Sequence, residues 1–274
     1  MRGRNILITG GTSGMGKATA SQLAKMGTQL LLIGRNRDKG EAAVIDIKHA
    51  SGSETVIFFQ ADLSLLREMR RTAGYIRQAF DQLDVLVHGA GGTFPQQRVL
   101  TDEGLEMSFA VDFLVRHVLT NELLDLLHAA PAPQVLSIAG GGAEYKAVDF
   151  ENLNGEKSYS WSEAVAQASA TNDLLTMEQI NRYQDITFYN YGPGLVRTAT
   201  IMGTLLGRVF FNTIGRLFSR SAEQAANDIV ALLTGDYPSG FYGRSLKRNE
   251  PSAAKSDAAR LWSYSEQLFG NLST

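Results

Sequence analysis

Short, continuous apolar runs recur along the chain at 6–8 (Ile6, Leu7, Ile8), 29–33, 55–60, 83–87, 134–138 and 186–191. They do not alternate with polar residues, as expected of strands buried on both faces. Longer segments with apolar positions at helical spacing separate them. The first helix begins near Met15 and runs over 17–25 to a stop at Gly27; a second follows Gly34-Arg35-Asn36-Arg37 to about His49. Ser64 is placed to cap a third, whose apolar positions include Leu66, Met69 and Ile76. A long helix is predicted over 103–127, another over 162–183, and a seventh strand over 241–246. Strands alternating with helices imply an α/β fold, a doubly wound parallel sheet with right-handed crossovers. Neither repeat nor linker interrupts the pattern, so 1–274 reads as one domain.

Two segments depart from plain alternation. Residues 198–219 carry Ile201, Leu205, Phe210, Phe211, Ile214 and Phe218, too apolar for a solvated loop. They follow Pro193-Gly194 at the carboxyl end of strand six, the edge where ligands sit in such sheets. The segment is a substrate lid or a subunit contact, and both readings stay open. Residues 257–269 form an amphipathic tail helix whose Leu261, Trp262 and Leu268 are packing positions.

Composition narrows the partners. A chain of 274 residues with 44% hydrophobic content can bury one large core. The formal net charge is −2, with no basic run dense enough for nucleic acid. No apolar stretch approaches the roughly twenty residues that cross a bilayer. MRGRNILITG leads directly into the first strand, leaving no room for a signal peptide. The absence of cysteine excludes disulfides, thiolate metal sites and Cys nucleophiles. These features point to a cytoplasmic protein acting on a small, largely apolar molecule, without nucleic acid, membrane or metal.

The chemistry begins at 5–17, NILITGGTSGMGK. Gly10, Gly14 and Gly16 let a pyrophosphate lie against bare amides at a helix N-terminus, where the dipole and unpaired N–H groups favour an anion. The spacing T-G-x-x-x-G-x-G is looser than the G-x-G-x-x-G fingerprint. An ordinary strand–turn–helix link is the alternative, disfavoured because the turn opens the chain and a βαβ pattern follows.

With TGGTSGMG at 9–16, Ala61-Asp62-Leu63, Gly89-Ala90-Gly91 and PGLVRT at 193–198, the chain resembles the short-chain dehydrogenase/reductase family over essentially its whole length. Segments 104–127 and 149–161, with Asn249-Glu250-Pro251-Ser252, are similar to the retinol-dehydrogenase-like branch. The resemblance implies a Rossmann domain and a nicotinamide dinucleotide. It places cofactor contacts at Gly10, Thr12, Ser13, Gly14, Met15, Gly16, Arg35, Asn36, Asp62, Leu63, Gly89, Ala90, Gly91, Pro193, Gly194, Val196 and Thr198. Asp62 would meet the adenine amino group or serve only as a turn residue. NAD-binding Rossmann proteins carry an acid at the end of strand two. Here Gly34-Arg35-Asn36-Arg37 holds none before Asp38, and Arg35 is placed to grip a phosphate, so NADP(H) is expected.

The family's redox chemistry uses a Tyr, a Lys four residues later, a Ser and an Asn. No tyrosine of this chain has Lys at +4. The ungapped match puts Val165 at the tyrosine, Ser169 at the lysine, Gly140 at the serine and Asp112 at the asparagine. A missing positioned acid costs roughly 10²–10⁴-fold in protonating an alkoxide. Hydride addition to an iminium yields a neutral amine and needs no acid. His88, Tyr145 and Tyr191 are candidate donors or anchors, each with packing as its plainer role. Asp112 lies among Phe109, Val111, Leu114 and Val115, so its carboxylate must gain a proton, find a cation or bond to backbone. Three functions stay open. One is an NADPH enzyme of specialised metabolism acting on an activated acceptor such as an iminium. The second is a non-redox cyclase, isomerase or dehydratase, and the third a silent NADPH-binding regulator. The apolar segment argues against the third.

Overall fold

In the computed structural model, residues 1–92, 94–142, 148–194, 196, 220–251 and 254–271 are described. The apolar runs become β1 (Asn5–Thr9), β2 (Gln29–Gly34), β3 (Val56–Gln60), β4 (Val85–His88), β5 (Gln134–Ile138), β6 (Thr187–Tyr191) and β7 (Gly240–Tyr242). These strands are mutually parallel, and an antiparallel edge strand, β8 (Arg248–Asn249), completes the order β3-β2-β1-β4-β5-β6-β7-β8. The order reverses between β1 and β4, so the ligand crevice of this doubly wound sheet opens at their carboxyl ends.

Alternate strand residues feed two cores, as the pleat requires. On one face Leu7, Leu86, Val135 and Phe188 meet α3 (Leu66–Ala79), α4 (Val115–Glu122), α6 (Trp161–Arg182) and α8 (Lys255–Asn271). On the other, Ile8, Val87, Leu136 and Tyr189 meet α1 (Gly14–Lys25), α2 (Arg37–Ser51) and α7 (Ala222–Thr234).

Several expectations need correction. Ser64 does not cap α3: Leu65 is the N-cap, and the Ser64 hydroxyl donates to Asp62 Oδ1 at 2.8 Å. Glu103 does that work from a distance, accepting from Leu66 N (2.5 Å) and Arg67 N (3.2 Å). The continuous helix expected over 103–127 is divided. Glu106 Oε2 accepts from Phe109 N at 2.8 Å and opens a π-helical turn, Phe109–Leu114, which passes into α4 and then, across Leu123, into α5 (Leu124–Ala129). The π turn meets a distant partner, since the Asn172 side chain donates to the Asp112 carbonyl at 2.8 Å. Such an insertion loosens the helical ladder. The seventh strand stops at Tyr242 because Ser245 and Leu246 take positive φ (57° and 59°), folding the chain back as β8. Helix α7 is absent from the apolar-run reading, although Ser221 and Gln224 form a full capping box before it. The apolar segment 198–219 lies outside the described residues. No described helix is long and apolar enough to cross a membrane.

Candidate active site

The β1–α1 turn is built for close backbone approach. Gly10 has φ of 66°, and a side chain there would stand 2.7 Å from the Gly89 backbone, so the turn lies directly on the chain leaving β4. Thr9 locks the two together, its hydroxyl oxygen accepting from Gly89 N and Ala90 N at 3.1 Å each. A side chain at Gly16 would run into the Gly10 carbonyl. Ser13 is the N-cap of α1 but its side chain caps nothing, and it is exposed beside Gly14 and Met15. The first-turn amides, which no α-helix can satisfy internally, thus face the crevice at the positive end of the helix dipole. Thr12 packs against Gly34 at the end of β2. These residues fit the diphosphate of a dinucleotide.

At the tip of β2, 72% of the Arg35 side chain is exposed; Nη1 lies 4.0 Å from Asp62 Oδ2. Asp62 Oδ1 accepts from Ser64 N and Oγ, and Leu63 is buried behind it. Asn36 caps α2 by accepting from Lys39 N at 2.8 Å. Pro193 is buried, Gly194 exposed, and Val196 buried in a parallel bridge to Arg220. Tyr145 and Thr198 lie outside the described residues.

Asp112 and His88 come together with a residue the sequence did not single out, Arg116. Asp112 sits on the π turn, where Oδ1 accepts from Gly92 N at 2.7 Å while Oδ2 is buried without a partner. Burial pushes its carboxyl up to about 6, against the opposing pull of the Arg116 charge. Arg116, one turn on and 2% exposed, donates from Nη2 to the Ile138 carbonyl at 2.8 Å; burial lowers its pKa while Asp112 raises it. Among the described residues its Nε and Nη1 find no hydrogen-bond partner. His88, a residue of β4, is 1% exposed and bonded through Nε2 to Thr120 Oγ1 at 3.0 Å. Burial and then the Arg116 charge push it down to about 3, so it is a neutral packing residue near pH 7.

Tyr191 is elsewhere. It points into the opposite core, its hydroxyl donating to Asp228 Oδ2 at 2.8 Å and accepting from Arg220 Nη1 at 3.0 Å. Burial and the Asp228 carboxylate hold its phenol well above the usual range.

A second buried carboxylate that the sequence reading did not reach is Asp173 on α6. It is 1% exposed, and Oδ1 accepts from Asn190 Nδ2 at 2.9 Å and Gly142 N at 3.3 Å. Burial pushes it up to about 7. Its neighbour one turn earlier, half-buried Ser169, reaches the end of β5: a side chain begun at Gly140 would run into Ser169 Oγ. Val165, a further turn back, is also half-buried. A cavity lined by Phe109, Phe113, Tyr159, Ala164 and Ala168 includes none of these groups. Among the described residues, no cluster of His, Asp and Glu could hold a metal ion.

The family model for short chain dehydrogenase matches residues 4–204. Retinol dehydrogenase 14 of Mus musculus is 31% identical over 293 residues, covering 99% of this chain and 87% of its own. Dehydrogenase/reductase SDR family member 13 of Homo sapiens is 31% identical over 283 residues, covering 98% and 74%. Among solved structures, an uncharacterised protein from Mycobacterium paratuberculosis superposes with a TM-score of 0.76 at 26% identity, covering 98% of this chain and 94% of its own. A metagenomic short-chain oxidoreductase solved in complex with NADP has a TM-score of 0.66 at 20% identity, with coverages of 91% and 98%, a likeness of fold alone.

Proposed function

Because the chain belongs to the short-chain dehydrogenase/reductase family, whose members bind a nicotinamide dinucleotide, we propose that it is an NADP(H)-dependent reductase of specialised metabolism. Its acceptor on this reading is activated or cationic, such as an iminium. Gly10, Gly14 and Gly16 with the first amides of α1 would hold the diphosphate. Arg35, at a strand end free of acid, would hold the adenosine phosphate. The bound nicotinamide supplies a hydride.

The neighbourhood of Gly140 carries the acceptor reading. Ser169 Oγ occupies the space a Gly140 side chain would need, and Val165, one turn back on α6, is half-buried. Neither residue is an acid or a cation. A ketone reduced there would become an alkoxide with neither the family's tyrosine nor its lysine to protonate it, whereas an iminium would become a neutral amine. Asp112 serves this site by holding the Gly91–Gly92 turn and offsetting the buried Arg116 charge.

The test follows NADPH oxidation by absorbance with a cyclic imine, 2-methyl-1-pyrroline, and a ketone of matching size, 2-methylcyclopentanone. Turnover with the imine and background with the ketone is the expected result. Robust ketone turnover would overturn the reading.

A further inference from the structure

The strand end beside Gly140 has traded one side chain for another. Gly140 contributes none, and the Ser169 hydroxyl enters the same space from α6. Behind it, Asp173 Oδ1 lies 3.6 Å from the point where a Gly140 side chain would begin. Hydroxyl and carboxylate therefore converge on one spot at the carboxyl edge of the sheet, one helical turn apart.

The carboxyl is fixed by neutral donors: among the described residues its hydrogen bonds fall on Oδ1 and come from Gly142 N and Asn190 Nδ2. Asn190 is itself held, accepting from Gly141 N at 2.8 Å and donating to Thr176 Oγ1 at 3.2 Å. Among the described residues no Lys, Arg or His forms an ion pair with Asp173. The buried cation Arg116 donates to the Ile138 carbonyl and balances Asp112. Among the described residues Asp173 thus has no cationic partner, and the burial that raises its pKa is what a bound cation would offset. A buried carboxylate with only neutral donors gains most from an added cation.

We infer that Ser169 and Asp173 form a recognition pair for a cationic iminium acceptor, with the hydroxyl accepting its N–H and the carboxylate supplying the counter-charge. This rests on the reductase reading and names the substrate class that reading would take.

The test is calorimetric, on the full chain, with pyrrolidinium as the cation probe and cyclopentanone as its uncharged counterpart. Pyrrolidinium should bind saturably and cyclopentanone should not. Asp173→Asn should weaken pyrrolidinium by about tenfold or more, the scale of a close buried charge pair. Ser169→Lys, at a half-buried position, should do the same by bringing a competing cation one turn from Asp173, and it decides the matter even where Asp173→Asn fails to fold. No binding of pyrrolidinium, equal binding of both probes, or undiminished affinity in the variants would overturn the inference. A parallel thermal-shift measurement with NADPH separates the two claims. Loss of the NADPH shift with pyrrolidinium binding intact would sink the reductase and spare the pair, and the reverse would sink the pair alone.

Discussion

Arg35 is held by little except its place: most of its side chain is solvated, and Asp62 stands 4.0 Å away. A phosphate with two negative charges would outcompete that carboxylate for the guanidinium. NADPH should therefore raise the thermal midpoint more than NADH at equal concentration. The linkage amounts to about 2.7 kcal/mol at a hundredfold excess over Kd. Arg35→Ala should abolish the difference and leave the unliganded midpoint unchanged; equal shifts in the parent protein would sink the assignment. Asp173 offers a prediction of a different kind. Its folded pKa, raised by burial from 3.8 to about 7, lies above the unfolded value. The native state thus holds the extra proton, and that stability is complete below about pH 4 and lost as pH rises through about 7. Asn cannot ionise, so the midpoint of Asp173→Asn relative to the parent should climb between pH 4 and pH 8. A constant gap would mean that the carboxylate is not desolvated. Among individual residues, the tight first turn and the missing acid after β2 were legible because both depend on neighbours in sequence. Arg116, Asp173 and Asn190 were not, since a polar residue on a helix or strand looks solvated until tertiary packing buries it. Tyr191 packs in the core, its plainer role, on the face away from Asp112. Its place at a strand end was visible, but which side of the sheet it faced was not.

Helix α3 starts without help from its own N-cap. Leu65 has no side-chain acceptor, and the two first-turn amides are satisfied by Glu103, 37 and 36 residues away. Arg67 also pairs with Glu103 at 3.5 Å, which keeps the carboxylate over the helix end. Glu103→Ala should cost about 1–2 kcal/mol, the usual range for losing a cap, whereas Ser64→Ala should cost less, and urea unfolding of both reads the difference. A larger loss for Ser64→Ala would show that the Asp62–Ser64 turn, not Glu103, carries the helix start. Sequence periodicity placed the middle of most helices other than α7, and most strands within a residue or two, because burial there follows local pattern. It failed over 103–127, where the path depends on two distant contacts. Glu103 is drawn to α3, and Asn172 captures the Asp112 carbonyl to open the π turn.

The eight-stranded sheet carries two cores of different make-up, and α8 closes the one beneath the acceptor side. Trp262 is its anchor, 6% exposed, edge-on to His117 at 4.7 Å with the Arg182 guanidinium 4.5 Å above its ring. Trp262→Ala should cost roughly 3–5 kcal/mol, seen as a lowered denaturation midpoint with the NADPH shift retained. Loss of under 1 kcal/mol would mean that α8 is only loosely docked. The alternation of strand and helix foretold the parallel order. It did not foretell the β8 turn-back, which depends on two residues with positive φ rather than on hydrophobic pattern. That turn-back brings Asn249 Nδ2 to the Gly141 carbonyl at 2.6 Å, fastening the loop beside Gly140 to a residue 108 positions later. The fastening sets a timetable for synthesis. The contact between the β1–α1 turn and Gly89 has all its residues once residue 92 has been translated, but the loop beside Gly140 has no latch until residue 249 follows. At roughly 5–20 residues per second, that loop would wait about ten to thirty seconds longer than the first turn for the last of its partners.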